Sequence, residues 1–216
     1  MFVLNNTKEL KPGKTWIDDN GIQHPGNWAS VWSEDVKASY GIKEVAIQTK
    51  PDNKFYWVSG PSVDGSWTAI PRNLDDVTET IEGEDITTLG LKSQWIAKTK
   101  ETANSLLAPT DWQVVAKAER NRAIDSDVAT YRAAVITACT AIKKAITDIT
   151  DTAIPSDLAT IKAKKNPTDV EKKVISDYET EVATKFAAFK ALFDVPVDSD
   201  GKPTGNAPMY DWPDSI

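Results

Sequence analysis

Apolar positions follow a helical period through most of the chain beyond residue 88. Between Ser126 and Ile149 they alternate three and four residues apart, which is the spacing of one helix face. The members of this series are Val128, Tyr131, Val135, Ala138, Ile142, Ala145 and Ile149. The pattern predicts a long helix with one buried stripe.

Three further helices are predicted on either side of this one. The first runs from about Leu91 to Leu107 and is ended by Pro109, and a shorter one follows from Ser156 to about Lys165. The last begins at Thr168, because Thr168 and Glu171 have the spacing of a capping box. The region 194–216 is rich in Pro and Gly, so it is predicted to be an irregular tail.

Residues 1–88 have a different pattern, with short apolar runs separated by turn residues. Five of the eight Trp residues of the chain lie here. Residues 45–47 and 55–58 flank a polar turn, which predicts a hairpin. Ser33 is expected to cap a short helix that stops at Gly41. The acidic segment from Asp75 to Asp85 is interpreted as a solvated connection.

These patterns together predict an α+β protein. Residues 1–88 form a small β-rich, Trp-containing module, and residues 89–216 form a helical domain of antiparallel helices with an irregular C-terminal tail. The change of composition near residue 88 marks the expected boundary.

Charge and hydropathy narrow the range of partners. The net charge is −7, whereas a nucleic-acid surface is basic, so no nucleic-acid partner is expected. No apolar run approaches the roughly 20 residues that cross a bilayer, so no membrane insertion is expected.

The composition also leaves little material for a catalytic centre. The chain has one His and one Cys, so most acid–base and metal constellations are excluded by number. His24 is interpreted as a solvated loop residue and Cys139 as a small buried hydrophobe. We therefore predict no catalytic residue, no metal site and no cofactor.

A helix end and a polar-aromatic corner lie between Leu106 and Trp112, and Tyr131 and Arg132 follow in the next predicted helix. This combination is similar to a motif of tail-fibre assembly chaperones and related tail proteins of tailed bacteriophages. In that family a helix ends in Leu-Leu, a Thr-Asp-Trp corner follows, and the chain often finishes on an aromatic-Pro segment. Trp212 and Pro213 occupy that last place here.

The N-terminal part also resembles a module of phage tail proteins. The resemblance rests on the segment from Asn20 to Trp28, on Tyr40-Gly41-Ile42, and on the run from Phe55 to Val58. One departure is clear: this chain has additional helical segments between Val135 and Phe193, where family members run quickly to their end. A permanent structural role in the particle therefore stays open beside a chaperone role.

The resemblance implies a non-enzymatic function in tail or tail-fibre assembly through protein–protein interaction. The expected partners are phage tail or tail-fibre proteins, or further copies of the chain, and the expected location is the virion tail or the host cytoplasm during assembly. The alternatives are a stoichiometric virion subunit, such as a fibre, adaptor or baseplate component, and a module that binds host glycans through Trp28 or Trp57.

Two groups of residues are the candidates for this function. The first is the corner, in which Asp111 or Thr110 is expected to satisfy unpaired backbone donors and Trp112 to fold over the helix pair as a buried plug. Tyr131, Arg132, Trp212 and Pro213 complete it. The second is the apolar end of the last helix: Phe186, Phe189, Leu192 and Phe193. These four side chains form either a partner surface or part of the chain's own core.

Overall fold

The computed structural model describes residues 1–215. It consists of two compact units, Met1–Arg72 and Asn73–Ile216. Helices account for 43% of the chain and strands for 15%, with the small antiparallel sheets in the N-terminal half and the long helices in the C-terminal half. This segregation confirms the α+β class.

The first unit is built from short strands and two short helices. A three-stranded antiparallel sheet has the order β2-β1-β5, and two separate pairs are formed by β3 with β4 and by β6 with β7. The strands are β1 (Phe2–Leu4), β2 (Lys8–Leu10), β3 (Trp16–Ile17), β4 (Gln23–His24), β5 (Ile42–Glu44), β6 (Tyr56–Ser59) and β7 (Thr68–Pro71), and the helices are α1 (Trp28–Val31) and α2 (Glu34–Ser39).

The core of this unit forms around Trp28, which has no exposed surface. Its indole N–H donates to the Lys14 carbonyl at 3.2 Å, so the ring is buried without an unsatisfied donor. Leu4, Leu10, Trp16 and Ile42 pack into the same cluster. Burial of Trp28 removes it from the two candidates for glycan stacking.

The predicted hairpin between residues 45–47 and 55–58 is wrong. Strand β6 pairs instead with β7, with Trp57 opposite Ile70. The backbone N–H of Val45 donates to Met1, and that of Gln48 donates to Gly65. The segment 45–48 is therefore held by the N-terminus and by a later loop, and a hairpin rule that considers only the nearest turn misses both partners.

The second unit contains one hairpin and all the long helices. The strands are β8 (Val77–Ile81) and β9 (Glu84–Thr88), which pair only with each other in the described part of the chain. The helices are α3 (Leu91–Leu107), α4 (Asp111–Arg120), α5 (Ser126–Thr147), α6 (Leu158–Lys162) and α7 (Asp169–Ala191), with 3-10 turns at Ala108–Thr110 and Pro208–Tyr210.

Helices α3 and α5 form the antiparallel pair at the centre of this unit. Near one end, the Tyr131 hydroxyl donates to the carbonyl of Leu106. Near the other, the Lys92 ammonium donates to the carbonyl of Ile149 at 3.1 Å. The start of each helix thus meets the end of the other. The bounds predicted for α3 and the start predicted for α5 are confirmed.

The predicted capping box at the start of α7 is confirmed as well. The Thr168 side chain accepts from the Glu171 backbone N–H, while the Glu171 carboxylate accepts from the Thr168 backbone N–H at 2.8 Å. Both helix-end donors are satisfied within four residues, which is why the sequence alone locates this start.

The acidic segment 75–85 is mostly exposed, as expected, but it belongs to the second unit and contains part of a hairpin, so it does not connect two domains. Asp76 accepts from the Gly90 backbone N–H at 2.7 Å, and Asn73 accepts from the Leu91 backbone N–H. A Cβ atom at Gly90 would lie 2.3 Å from the Leu74 carbonyl oxygen. The chain before the hairpin therefore packs against the start of α3, and the compact units divide at residue 72 rather than 88.

Within residues 1–215, none of the helices combines the length and the apolar character that crossing a membrane requires.

Candidate functional site

The corner between α3 and α4 is organised by one arginine of α5. The Nη1 atom of Arg132 donates to the Leu107 carbonyl at 3.0 Å and to the Thr110 hydroxyl oxygen at 2.7 Å. It also lies 2.8 Å from Oδ1 of Asp111. Thr110 in turn donates its hydroxyl hydrogen to the Leu107 carbonyl at 2.9 Å. One guanidinium therefore binds the last turn of α3, the 3-10 turn and the first residue of α4.

Tyr131, the neighbour of Arg132, anchors the apolar side of the same corner. Its ring is buried with Ala103, Val135 and Cys139, and its hydroxyl lies 3.4 Å from the Leu106 carbonyl oxygen. Cys139 is buried in this cluster, which confirms its interpretation as a small buried hydrophobe. Tyr131 thus contributes mainly apolar packing to the corner, and Arg132 contributes hydrogen bonds.

The C-terminal segment reaches this cluster from the other end of the chain. Trp212 is half-buried and packs against the cluster of Ala103, Tyr131 and Val135. The 3-10 turn just before it is fixed by buried Met209, whose backbone N–H donates to Leu192 at 3.0 Å. Pro213, also half-buried, lies beside Trp212 along a groove bordered by α5. The tail has an irregular backbone, as expected, and Met209 and Trp212 anchor it to the helices.

Trp112 does not plug the corner, so that prediction is wrong. Its side chain is 53% exposed. The buried position of α4 is taken by the next residue, Gln113, whose amide donates to the Asp125 carboxylate at 2.8 Å and accepts from the Asp125 backbone N–H at 2.9 Å. Successive helix positions differ by about 100°, so Trp112 is turned toward the solvent side.

The exposed Trp112 is part of a small apolar and basic surface. Val115 follows it one turn later and is 50% exposed, and positions three apart are neighbours on a helix. The guanidinium of Arg122 lies over the Trp112 ring, 5.3 Å from its centroid. We call Trp112, Val115 and Arg122 the α4 flank. Of these three residues, only Trp112 belongs to the sequence motif. Its exposure could have been inferred from the polar Gln113 beside it, which takes the inward position.

The phenylalanines at the end of α7 are packed inside the second unit. Phe189 has no exposed surface and Phe186 is buried, while Leu192 and Phe193 are half-buried. The Phe193 ring lies 4.7 Å from that of Trp95 in α3 and 6.0 Å from that of Tyr210. The structure thus uses these side chains within the chain, whereas Trp112 of the same unit is 53% exposed.

His24 is not a solvated loop residue, and that interpretation is wrong. It lies in β4 opposite Trp16, stacks on that ring at 4.4 Å, and is 6% exposed. Its Nε2 lies 3.1 Å from Oδ2 of Asp18. The Trp32 and Tyr40 rings pack edge-on against it. The spacing of aromatic residues around position 24 was the signal for burial.

The Asp18–His24 pair resembles part of a catalytic triad, but the groups around it are a backbone turn and packed aromatic rings. The backbone N–H of Ile22 lowers the pKa of Asp18 below 3.8, with a smaller contribution from His24, against the opposing effect of desolvation. In residues 1–215 no hydroxyl or thiol hydrogen-bonds to the His24 ring. Asp18 thus closes the β3–β4 turn and holds the imidazole.

Among the described residues, no three His, Cys, Asp or Glu side chains come together as a metal site. Comparison of the chain with protein-family models, curated proteins and solved structures gives no match.

Proposed function

We propose that this chain is a non-enzymatic bacteriophage tail protein that acts in tail or tail-fibre assembly by binding another protein. The proposal begins from the sequence resemblance to tail-fibre assembly chaperones. It is supported by the way the resembling residues are arranged in space. The α4 flank is the proposed contact surface.

The observation that carries the proposal is the convergence of three distant segments on one corner. Leu107 to Asp111, Arg132 and Trp212 carry the resemblance at widely separated positions, and all lie around the junction of α3, α4 and α5. Polar atoms join Arg132 to the 107–111 segment, and Trp212 contributes apolar packing. Such a motif stabilises a fixed geometry, which is what a protein needs to present a binding surface.

The corner fixes the base of α4 and leaves the α4 flank exposed. Arg132 binds Asp111 at the first position of α4, and Gln113 ties the first turn to Asp125. Trp and Arg are the residue types most enriched in the energetic centres of protein interfaces. A Trp ring under a guanidinium, beside an exposed Val, provides an apolar centre with a positive rim.

The test is binding of purified chain to the tail and tail-fibre proteins that are encoded beside it. We expect a stable complex with one of them, and we expect Trp112→Ala to weaken it by at least about tenfold, the effect of losing an interface centre. Trp57→Ala is the matched control, because Trp57 is 64% exposed but lies in the other unit. A complex that neither substitution affects would place the contact elsewhere.

The role as a virion subunit is separated from the chaperone role by stoichiometry. Mass spectrometry of purified particles finds a subunit in a fixed ratio to the tail proteins, whereas an assembly chaperone is absent or scarce. The antiparallel pair α3–α5 and the anchored tail suit either role, since both give a rigid protein.

Glycan binding keeps one specific observation in its favour, the exposure of Trp57 on β6. Ile70 lies directly opposite it and is also largely exposed. The Arg72 guanidinium lies 4.9 Å from the centroid of the Trp57 ring, which leaves the other ring face for a sugar to stack on. Loss of glycan-array binding on Trp57→Ala, with none on Trp112→Ala, would favour this function.

A further inference from the structure

A groove on the first unit is bordered by two strands, each of which has one unpaired edge. It has a volume of about 460 Å³ and lies along β2 and β3. In the described part of the chain β2 pairs only with β1, and β3 pairs only with β4. An unpaired edge presents backbone donors and acceptors to any strand that enters beside it.

The walls of this groove are basic. Lys8, Lys11 and Lys14 line it, against one acidic side chain, Glu9. All three lysines are exposed, and no described carboxylate lies within ion-pair distance of any of them. The positive charges are thus uncompensated within residues 1–215, in a chain whose net charge is −7. We call this surface the lysine groove.

Trp16, which also lines the lysine groove, adds an unsatisfied donor. The residue is buried, and its indole N–H has no hydrogen-bond acceptor among the described residues. A buried donor without a partner destabilises the fold, because it loses its hydrogen bond to water and gains none in return. A bound segment that brings a carbonyl or carboxylate oxygen to this N–H would remove the penalty.

The β8–β9 hairpin of the second unit has the complementary properties. Nearly all of its residues are exposed, and in residues 1–215 both of its outer edges lack a strand partner. Its acidic side chains are Glu79, Glu82, Glu84 and Asp85. The glutamates form no ion pair with any described residue.

The hairpin also carries apolar surface on the same face as Glu79 and Glu84. Ile86 is opposite Glu79, and Ile81 is opposite Glu84; both isoleucines are half exposed. Ile17, at the edge of the lysine groove, is exposed to a similar degree. An isolated two-stranded hairpin is marginally stable in water, so a docked position would stabilise it.

We propose that the chain associates with itself, with the β8–β9 hairpin of one copy seated in the lysine groove of a second copy. The contact joins carboxylates to lysines, isoleucines to Ile17, and an unpaired strand edge to β2 or β3. The two surfaces differ, so the contact is heterologous and gives either a closed ring or a growing chain. This association goes beyond the proposed function, and Trp112 belongs to neither surface.

Sedimentation of the full chain over a range of concentrations tests the proposal. We expect reversible association that weakens as salt is raised, because exposed charges carry it. Triple substitution of Lys8, Lys11 and Lys14 by Glu should raise the dissociation constant by about tenfold or more, and so should substitution of Glu79, Glu82 and Glu84 by Lys. Substitution of Lys100, Lys165 and Lys202 by Glu is the control for net charge alone, since all three are exposed elsewhere.

Mixing the two charge-reversed variants gives the sharpest outcome. Each should associate poorly with itself, whereas the basic hairpin of one should bind the acidic groove of the other and restore a complex. A parent chain that stays monomeric at millimolar concentration overturns the proposal. So does a parent that associates without any effect of either reversal, or a mixture that restores nothing. If a reversed variant does not fold, as judged by circular dichroism, the corresponding Gln variants take its place.

Discussion

Arg132 donates a hydrogen bond to the hydroxyl oxygen of Thr110 at 2.7 Å, although the two residues are 22 positions apart in the chain. The same nitrogen reaches the last turn of α3 and the first residue of α4. The bend between these helices is therefore fixed by a side chain from a third helix. The geometry of this bend depends on one guanidinium, so substitution of Arg132 tests it directly.

Replacing Arg132 with Ala should destabilise the second unit by about 2–3 kcal/mol, because a half-buried charged donor is lost and buried Thr110 keeps only one partner. Urea unfolding followed by far-ultraviolet circular dichroism measures this, since the long helices lie in that unit. Arg120→Ala is the control: Arg120 is exposed at the end of α4, so the change should stay within about 0.5 kcal/mol. Equal effects would mean that the corner is not fixed by Arg132.

Replacing Trp212 with Ala should cost about 2 kcal/mol, less than the 3–5 expected for a fully buried aromatic, because Trp212 is half-buried against the Tyr131 cluster. The matched control is Ile136→Ala, which removes an exposed side chain from α5. The same unfolding experiment compares the two. A Trp212 variant as stable as the control would show that the tail is not anchored by this ring.

Glu171 should titrate far below an ordinary glutamate. The hydrogen bond from Lys164 and the backbone N–H of Thr168 lower its pKa from 4.5 to about 2. Because the folded value is the lower one, the ionised carboxylate favours the folded state above pH 4.5, and this contribution is lost as the pH falls toward 2. Carboxyl resonances followed by nuclear magnetic resonance during an acid titration measure the midpoint.

Two variants separate the causes of that shift. Lys164→Ala should move the Glu171 midpoint upward more than Thr168→Ala does, because the lysine has the largest effect on the pKa. Thr168→Ala removes only the weaker hydrogen bond of the hydroxyl group and keeps the backbone N–H that donates to Glu171. The Thr168 variant should mainly fray the first turn of α7, which amide exchange detects. An unchanged midpoint in both variants would contradict the observed capping geometry.

The long helices could be predicted from the sequence because their signals are local. The apolar stripe of α5, the stop at Pro109 and the pairing of Thr168 with Glu171 all lie within a few residues of the features they specify. The short strands could not be predicted in the same way. Strand β1 pairs with both β2 and β5, and only the assembled sheet makes three-residue strands stable.

The sequence predicted which residues form the corner, but not the direction in which Trp112 faces. Thr110, Asp111, Tyr131, Arg132 and Trp212 do come together, yet the exposure of Trp112 depends on Gln113 taking the inward position to bind Asp125. A prediction of inward positions from hydrophobicity fails where a polar residue is buried because a partner elsewhere in the chain satisfies its hydrogen bonds. His24 was missed because it was treated as a polar loop residue, although aromatic residues pack around it and Asp18 bonds its ring.

The most direct test measures Trp112→Ala twice, once for stability and once for binding to the proposed partners, phage tail or tail-fibre proteins. We expect a loss of less than about 1 kcal/mol in the free energy of unfolding, because the side chain is 53% exposed. We also expect binding to weaken by at least about tenfold. Trp28→Ala should show the cost of removing a buried Trp, about 3–5 kcal/mol. A Trp112 variant that loses comparable stability, or that binds its partner as tightly as the parent chain, would contradict the assignment of the α4 flank as the contact surface.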